Sequence, residues 1–358
     1  MQAYLWMNRL AAIALSILIG GFGALGATVI GLPMPYLIGA FFASGIATLS
    51  GFKLFGLAPN LPMPLRNVFV GIIGVMIGGS FHPGIFSTLS QIWVPALAVI
   101  VFVTLSLAGN YALFRRFGGY DRATAFFAAM PGGLIESISM GEKLGADIHA
   151  LTLQQFSRIS LVITAVPFIF LIWTGEKVGS AAGIRLNANL AGVSLVDWSV
   201  IAACVILGMA GGRALRLPAS ILVGPLILSA AAHYFGLTDV GPPAWLVALA
   251  QVFVGAGLGA RFRGFGGREM SRVVILAVVS VTMMLVLDIL IVVLLRPFLD
   301  IPFEVMFISF APGGVTETAL IALSLHANPV FVTSLHVFRI IITVVIGAVA
   351  ARKMAGTR

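Results

Sequence analysis

Apolar positions in this chain run in long blocks separated by short polar stretches. No charged side chain occurs from Ala11 to Phe52, and none from Asn67 to Phe114 apart from His82. Each block is long enough for two bilayer crossings at roughly 20 residues apiece. The blocks predict helices near residues 9–31, 33–51, 66–81, 91–114 and 149–173, and again near 196–212, 217–235, 243–260, 272–296 and 329–351. Two further apolar segments, 123–142 and 305–325, carry Pro-Gly-Gly at their centre. Proline removes a helix donor and glycine is a poor helix former, so a break is expected there. The arms on either side are too short to span separately. Each segment is therefore one broken crossing or a re-entrant hairpin.

These two segments are copies. Ala129-Met130-Pro131-Gly132-Gly133-Leu134-Ile135-Glu136-Ser137 returns as Phe310-Ala311-Pro312-Gly313-Gly314-Val315-Thr316-Glu317-Thr318. An arginine follows each glutamate by 22 residues, Arg158 after Glu136 and Arg339 after Glu317. Leu32–Gly39 also matches Leu217–Gly224, and Val68-Phe69-Val70-Gly71 matches Val252-Phe253-Val254-Gly255; the offsets run 185, 184 and then 181. Ordered blocks at a near-constant offset signal duplication. The expected organisation is a first membrane repeat over 1–175, a periplasmic linker over 176–195 and a second membrane repeat over 196–358.

The chain is 60% hydrophobic and 9% charged, with a mean hydropathy of +1.10. A soluble domain carries about 25% charged residues, so this is an integral membrane protein. The first apolar stretch runs straight into a second span and reads as a span itself, not as a cleaved signal. The lone Cys204 excludes a disulfide framework and a cysteine metal site. The net charge of +9 fits basic cytoplasmic loops, and no nucleic-acid partner is expected. If both broken segments are hairpins and the amino terminus is cytoplasmic, 16 of the 21 Lys and Arg lie inside, three outside and two within the membrane. If each segment crosses once, the division is 12 inside and 7 outside. The positive-inside rule favours hairpins. The expected fold is thus an all-α polytopic membrane protein with two inverted-topology repeats. Each has about five transmembrane helices plus a Pro-Gly-Gly re-entrant hairpin, and both termini are cytoplasmic. Many secondary transporters use such repeats for alternating access.

Arg158 and Arg339 each lie about ten residues into a helix, or about 15 Å, half of a ~30 Å hydrocarbon core. Beyond each break, unsatisfied amides and the positive end of a helix dipole make an anion site, which glycines let a ligand approach. The candidate substrate-binding residues are Pro131, Gly132, Gly133, Glu136, Arg158, Pro312, Gly313, Gly314, Thr316, Glu317 and Arg339, with Ser137, Ser139 and Thr318 supplying hydroxyls nearby. Glu136, Glu317 and Asp288 are candidates for coupling to proton or sodium, since burial raises a carboxylate's pKa. A plainer reading competes: glutamate and arginine of one half neutralise each other. Gln154, Gln155 and His336 then make interhelical bonds, and glycines such as Gly71, Gly74 and Gly255 serve helix packing. His82, His149 and His326 fall at predicted ends. No phosphate-binding loop and no metal-ligand cluster is found, so neither a cofactor nor enzymatic activity is expected.

The paired motifs Pro131–Glu136 with Arg158 and Pro312–Glu317 with Arg339, together with Leu32–Gly39 and Leu217–Gly224, resemble the AbrB duplication family of bacterial inner-membrane proteins. The resemblance covers nearly the whole chain. It implies a duplicated membrane fold in the bacterial inner membrane. Members often carry the label ammonia monooxygenase or regulator of gene expression. The copper or iron ligands of the first label are not found here, and the small soluble DNA-binding regulator that shares the family name is not similar. The leading expectation is a secondary transporter or exporter of a small anionic solute, acting at a midplane site between the repeats. The alternatives are a membrane-bound regulator or ligand sensor and, remotely, a monooxygenase. The expected partners are the lipid bilayer, the solute with proton or sodium, and a second copy in a homodimer.

Overall fold

The computed structural model describes residues 2–81, 92–175, 194–264, 267–325 and 327–355. His82, Lys177, Arg185, His326 and residues 176–193 of the expected linker lie outside the described residues. The described residues form α1 (Gln2–Ile30), α2 (Pro35–Leu49), α3 (Met63–Gly79), α4 (Trp93–Arg116), α5 (Arg122–Ala129), α6 (Leu134–Lys143) and α7 (Ile148–Thr174). These are followed by α8 (Leu195–Ala214), α9 (Ser220–Tyr234), α10 (Ala244–Gly259), α11 (Gly267–Leu295), α12 (Phe303–Phe310), α13 (Val315–Ser324) and α14 (Pro329–Ala355). No β-strand occurs among them.

Seven helices are long and apolar enough to cross a membrane: α1, α4, α7, α8, α10 with the 3₁₀ turn that follows it, α11 and α14. This is a multi-pass membrane protein. Three of the ten expected crossings, α2, α3 and α9, have 15 to 17 residues. At 1.5 Å per residue they reach about 22–26 Å, short of a ~30 Å core.

Helix starts in the second half follow those in the first with one change of step. α9 starts 185 residues after α2; α10, α12, α13 and α14 each start 181 after α3, α5, α6 and α7. The difference of four falls in the connection after α2, which is longer than the one after α9. The caps agree as well. Met34 and Ala219, ahead of α2 and α9, both take left-handed backbone (φ 44° and 48°), while Pro62 and Pro243 cap α3 and α10 in extended conformation. This step puts the Val68–Gly71 and Val252–Gly255 match three residues out of register. The residues that share a structural place are instead Gly74 with Gly255 and Gly78 with Gly259. A Cβ on Gly74 would strike the carbonyl oxygen of Leu222, and one on Gly255 that of Leu37, which are themselves a matched pair.

The chain divides into two compact units that do not coincide with its halves. One takes 1–83, 167–265 and 319–330, the other 84–166, 266–318 and 331–358. In the first unit α1 packs on α2 as α8 packs on α9, α2 on α10 as α9 on α3, and α1 on α10 as α8 on α3; α3 also packs on α10. Exchanging the triplets α1–α3 and α8–α10 leaves this set of pairs unchanged. Glycine makes the tightest of them. A Cβ on Gly39 would overlap the Gly23 carbonyl oxygen, and one on Gly224 the Gly208 oxygen, so only the bare backbone fits.

The second unit holds α4–α6, α7 up to Val166, α11, α12, the first turn of α13 and α14 from Phe331. α4 packs on α5 and α11, and α11 on α12. Asp121 caps α5 by accepting from the Ala123 and Thr124 amides at 2.8 and 3.1 Å. The chain then doubles back after the break. Thr124 Oγ1 accepts from the Asp147 amide at 2.7 Å, and a Cβ on Gly141 in α6 would stand 3.5 Å from that of Phe127 in α5. A straight helix would hold residues 127 and 141 about 21 Å apart.

Candidate binding site at the two helix breaks

Each break leaves carbonyls exposed at the end of its first arm, because proline and glycine cannot supply the next helical donors. The long helix that follows each segment satisfies them. On α7, Gln155 Nε2 donates to the carbonyls of Phe127, Ala128 and Met130 at 2.9, 3.3 and 3.2 Å, and Arg158 Nη1 donates to the Met130 carbonyl. On α14, His336 Nε2 meets the Ile308 carbonyl at 2.9 Å. Arg339 Nη1 donates to Phe310 and Ala311, and Nη2 donates to Gly313 at 2.9 Å and meets His336 Nδ1 at 2.8 Å. Gln155 and His336 are 181 residues apart, as are Phe127 and Ile308, Met130 and Ala311, and the two arginines. The same positions do the same work twice.

Each break also packs on the long helix of the other half. A Cβ on Gly132 would lie 3.4 Å from Thr343 Oγ1 on α14, and one on Gly313 would lie 3.1 Å from Val162 on α7. Val162 and Thr343 are again 181 apart. Both breaks, Arg158 and Arg339 thus belong to one unit, and the arginines are near enough to act on each other electrostatically.

The glutamates curl over the start of their own helices. Glu136 is half-buried with Oε2 3.3 Å from where a Gly133 Cβ would sit, and Gly133 itself takes φ 64°, which favours glycine. Glu317 is buried, and its carboxylate occupies the space a Cβ on Gly314 would need. An acid in the first turn favours the positive helix end, so each half carries its own anion where a free one was expected to bind. The plainer expectation of a glutamate–arginine lock does not describe Arg158, which turns to the Met130 carbonyl. Pro131, Gly132 and Gly133 are buried, as are Pro312 and Gly313; Gly314 is half-buried. Ser137 donates to the Gly132 carbonyl and Thr318 to that of Gly314, at 3.4 and 2.8 Å. Thr316 is largely buried and Ser139 exposed.

Asp288 on α11 is fully buried, and neither carboxylate oxygen has a hydrogen-bond partner; Arg339 acts on it through space. Asn110 on α4 is buried with its oxygen unpartnered. It stands alone in an apolar helix, and that contrast was its only signal in the sequence. Among the described residues no three His, Cys, Asp or Glu gather to hold a metal.

The family model described as "Transition state regulatory protein AbrB" matches residues 52–355. A Bacillus subtilis (strain 168) protein named "Uncharacterized protein YhjN" is 28% identical over 285 residues, covering 76% of this chain and 74% of that protein. An Escherichia coli (strain K12) protein named "Putative regulator AbrB" is 24% identical over 331 residues, 92% of each. The match spans both breaks and both arginines, and the chain belongs to the AbrB family.

Proposed function

We propose that this chain is a secondary transporter or exporter of a small anionic solute, in the bacterial inner membrane with both termini cytoplasmic, and that it is not an enzyme. The single observation that carries the reading is the doubled wiring of the breaks. Two broken helices, each held by a buried arginine and packed on the other half's long helix, form one polar centre in an apolar unit. Buried charge in a membrane is costly and usually serves transport. We read the fold as two inverted repeats with re-entrant hairpins. The constant helix step, the exchange symmetry of the packing and the doubling back between Thr124 and Asp147 support it. Glu136, Glu317 and Asp288 are the groups through which proton or sodium would couple.

The test is counterflow into proteoliposomes with a panel of labelled organic anions, amines and ammonium. Arg339→Ala and Glu317→Gln should abolish flux while leaving insertion intact, and normal flux in both would sink the proposed site. Orientation has its own readout: cysteines replacing Asp239 and Asp300 should label from outside, and one replacing Lys53 only after permeabilisation. A regulator or ligand sensor is the second reading, favoured by the name of the Escherichia coli relative. Ligand binding without flux would select it.

A further inference from the structure

We propose that Arg158, Gln154 and Ser157 on α7 form the binding site for the carboxylate of a small organic acid that carries its own hydrogen-bond donor, while Arg339 holds the second break together. The proposal rests on the anionic-solute reading above and assigns it to one of two matched arginines.

The two arginines are equivalent in place but not in occupation. Arg339 engages three carbonyls and His336, leaving only Nε without a partner. Arg158 engages the Met130 carbonyl through Nη1 alone, and its Nε has no partner. In the first half Gln155 has taken the carbonyls that the arginine takes in the second. Their charges differ as well. The Asp288 carboxylate acts on Arg339, whereas no carboxylate acts on Arg158.

The surroundings differ in the same sense. Gln154 and Ser157 are more than nine-tenths buried, yet both ends of the Gln154 amide and the Ser157 hydroxyl lack partners. Their counterparts 181 residues on are Leu335 and Phe338, which ask for nothing. A helix that needed only to hold a break would use the second pattern. Placing an amide and a hydroxyl beside a buried, sparsely partnered cation is costly unless something binds them.

The donors define the ligand. Nε–H and the free edge of the guanidinium form a planar fork that suits a carboxylate bidentately. Gln154 lies one turn before Arg158 on the same face and adds an N–H. The unpartnered oxygens of Gln154 and Gln155 accept, so they favour an acid bearing a hydroxyl or amino group.

The experiment is thermal melting of the purified full-length protein in detergent, titrated with lactate, alanine, propionate and phosphate. Lactate or alanine should raise the midpoint. Arg158→Lys, which keeps the charge and loses the fork, and Gln154→Leu, which copies the second half, should each weaken the apparent affinity by roughly tenfold or more. Stabilisation that survives both variants would overturn this site and leave the anion reading standing. A response to propionate or phosphate alone would overturn the ligand class. No response to any of the four would overturn the proposal, and continued anion flux in proteoliposomes would then keep the transport reading apart from it.

Discussion

The two compact units solve opposite packing problems. In the first, backbones meet at glycines with carbonyls where a side chain would stand, and the pattern repeats between α1–α3 and α8–α10. In the second, helices are broken, and buried polar groups lacking partners collect in it: Asn110, Gln154, Ser157, Arg158 and Asp288. Close apolar contact gives a membrane unit one arrangement, because the whole interface relies on van der Waals fit. Unpartnered polar groups in an apolar interior do the reverse, since they lower the cost of any state or ligand that satisfies them. The first unit is built to stay fixed, and the second to bind or change.

The largest effect that would break this comparison is steric. Gly39→Val and Gly224→Val place a branched side chain where a neighbouring carbonyl stands, and should destabilise by about 3 kcal/mol or more, beyond ordinary overpacking. Alanine at Gly21 or Gly211, which face open space, should cost no more than about 1 kcal/mol and can gain helix propensity. Melting temperatures in detergent decide it. Equal effects at the two kinds of site would mean that the glycines are not the contact that fixes the unit.

A smaller difference should separate the arginines. Arg339→Gln orphans the carbonyls of Phe310, Ala311 and Gly313 and should cost about 2–4 kcal/mol. Arg158→Gln frees only the Met130 carbonyl, which Gln155 also holds, and removes a sparsely partnered buried charge. In ligand-free protein it should cost under about 1 kcal/mol. Loss of stability in the order Arg158 above Arg339 would reverse the roles drawn here.

Much of this was legible in the chain. The Pro-Gly-Gly breaks, the arginine spacing and the length of the apolar blocks are local or periodic, and residue types announce them. The units were not, because each half contributes to both, and packing between distant segments leaves no local signature. The Val68–Gly71 match misled for a related reason: four apolar residues recur easily in membrane helices, whereas the shared carbonyl contacts of Gly74 and Gly255 need coordinates. The glutamates were identified correctly as first-turn acids. Their curl back over Gly133 and Gly314 depends on rotamers, so an expected anion pocket proved to be filled by the chain itself. Gln154 and His336 stood within a turn of the arginines in both sequence and structure, but which one lacked partners could not be read from spacing.

The smallest effect tests the doubling back of the first broken segment. Asp121 caps α5, and Thr124 links it to Asp147 at the far end. Burial tends to raise the Asp121 pKa, but the Thr124 hydroxyl and the Thr124 and Ala123 amides bond the carboxylate and hold it below the usual range. A lowered folded pKa contributes stability that is complete above the unfolded value, about 3.9, and fades as pH falls through the folded one. Asp121→Ala should therefore cost about 1 kcal/mol at neutral pH, the worth of an N-cap, and less below about pH 4. Asp121→Asn keeps an acceptor and should stay near wild type at pH 7 while losing that pH dependence. If Asp121→Ala also exposes a cysteine placed at Asp147 to faster labelling, the cap and the return of the chain are one device. Unchanged labelling with the same stability loss would show that α6 holds its place without α5.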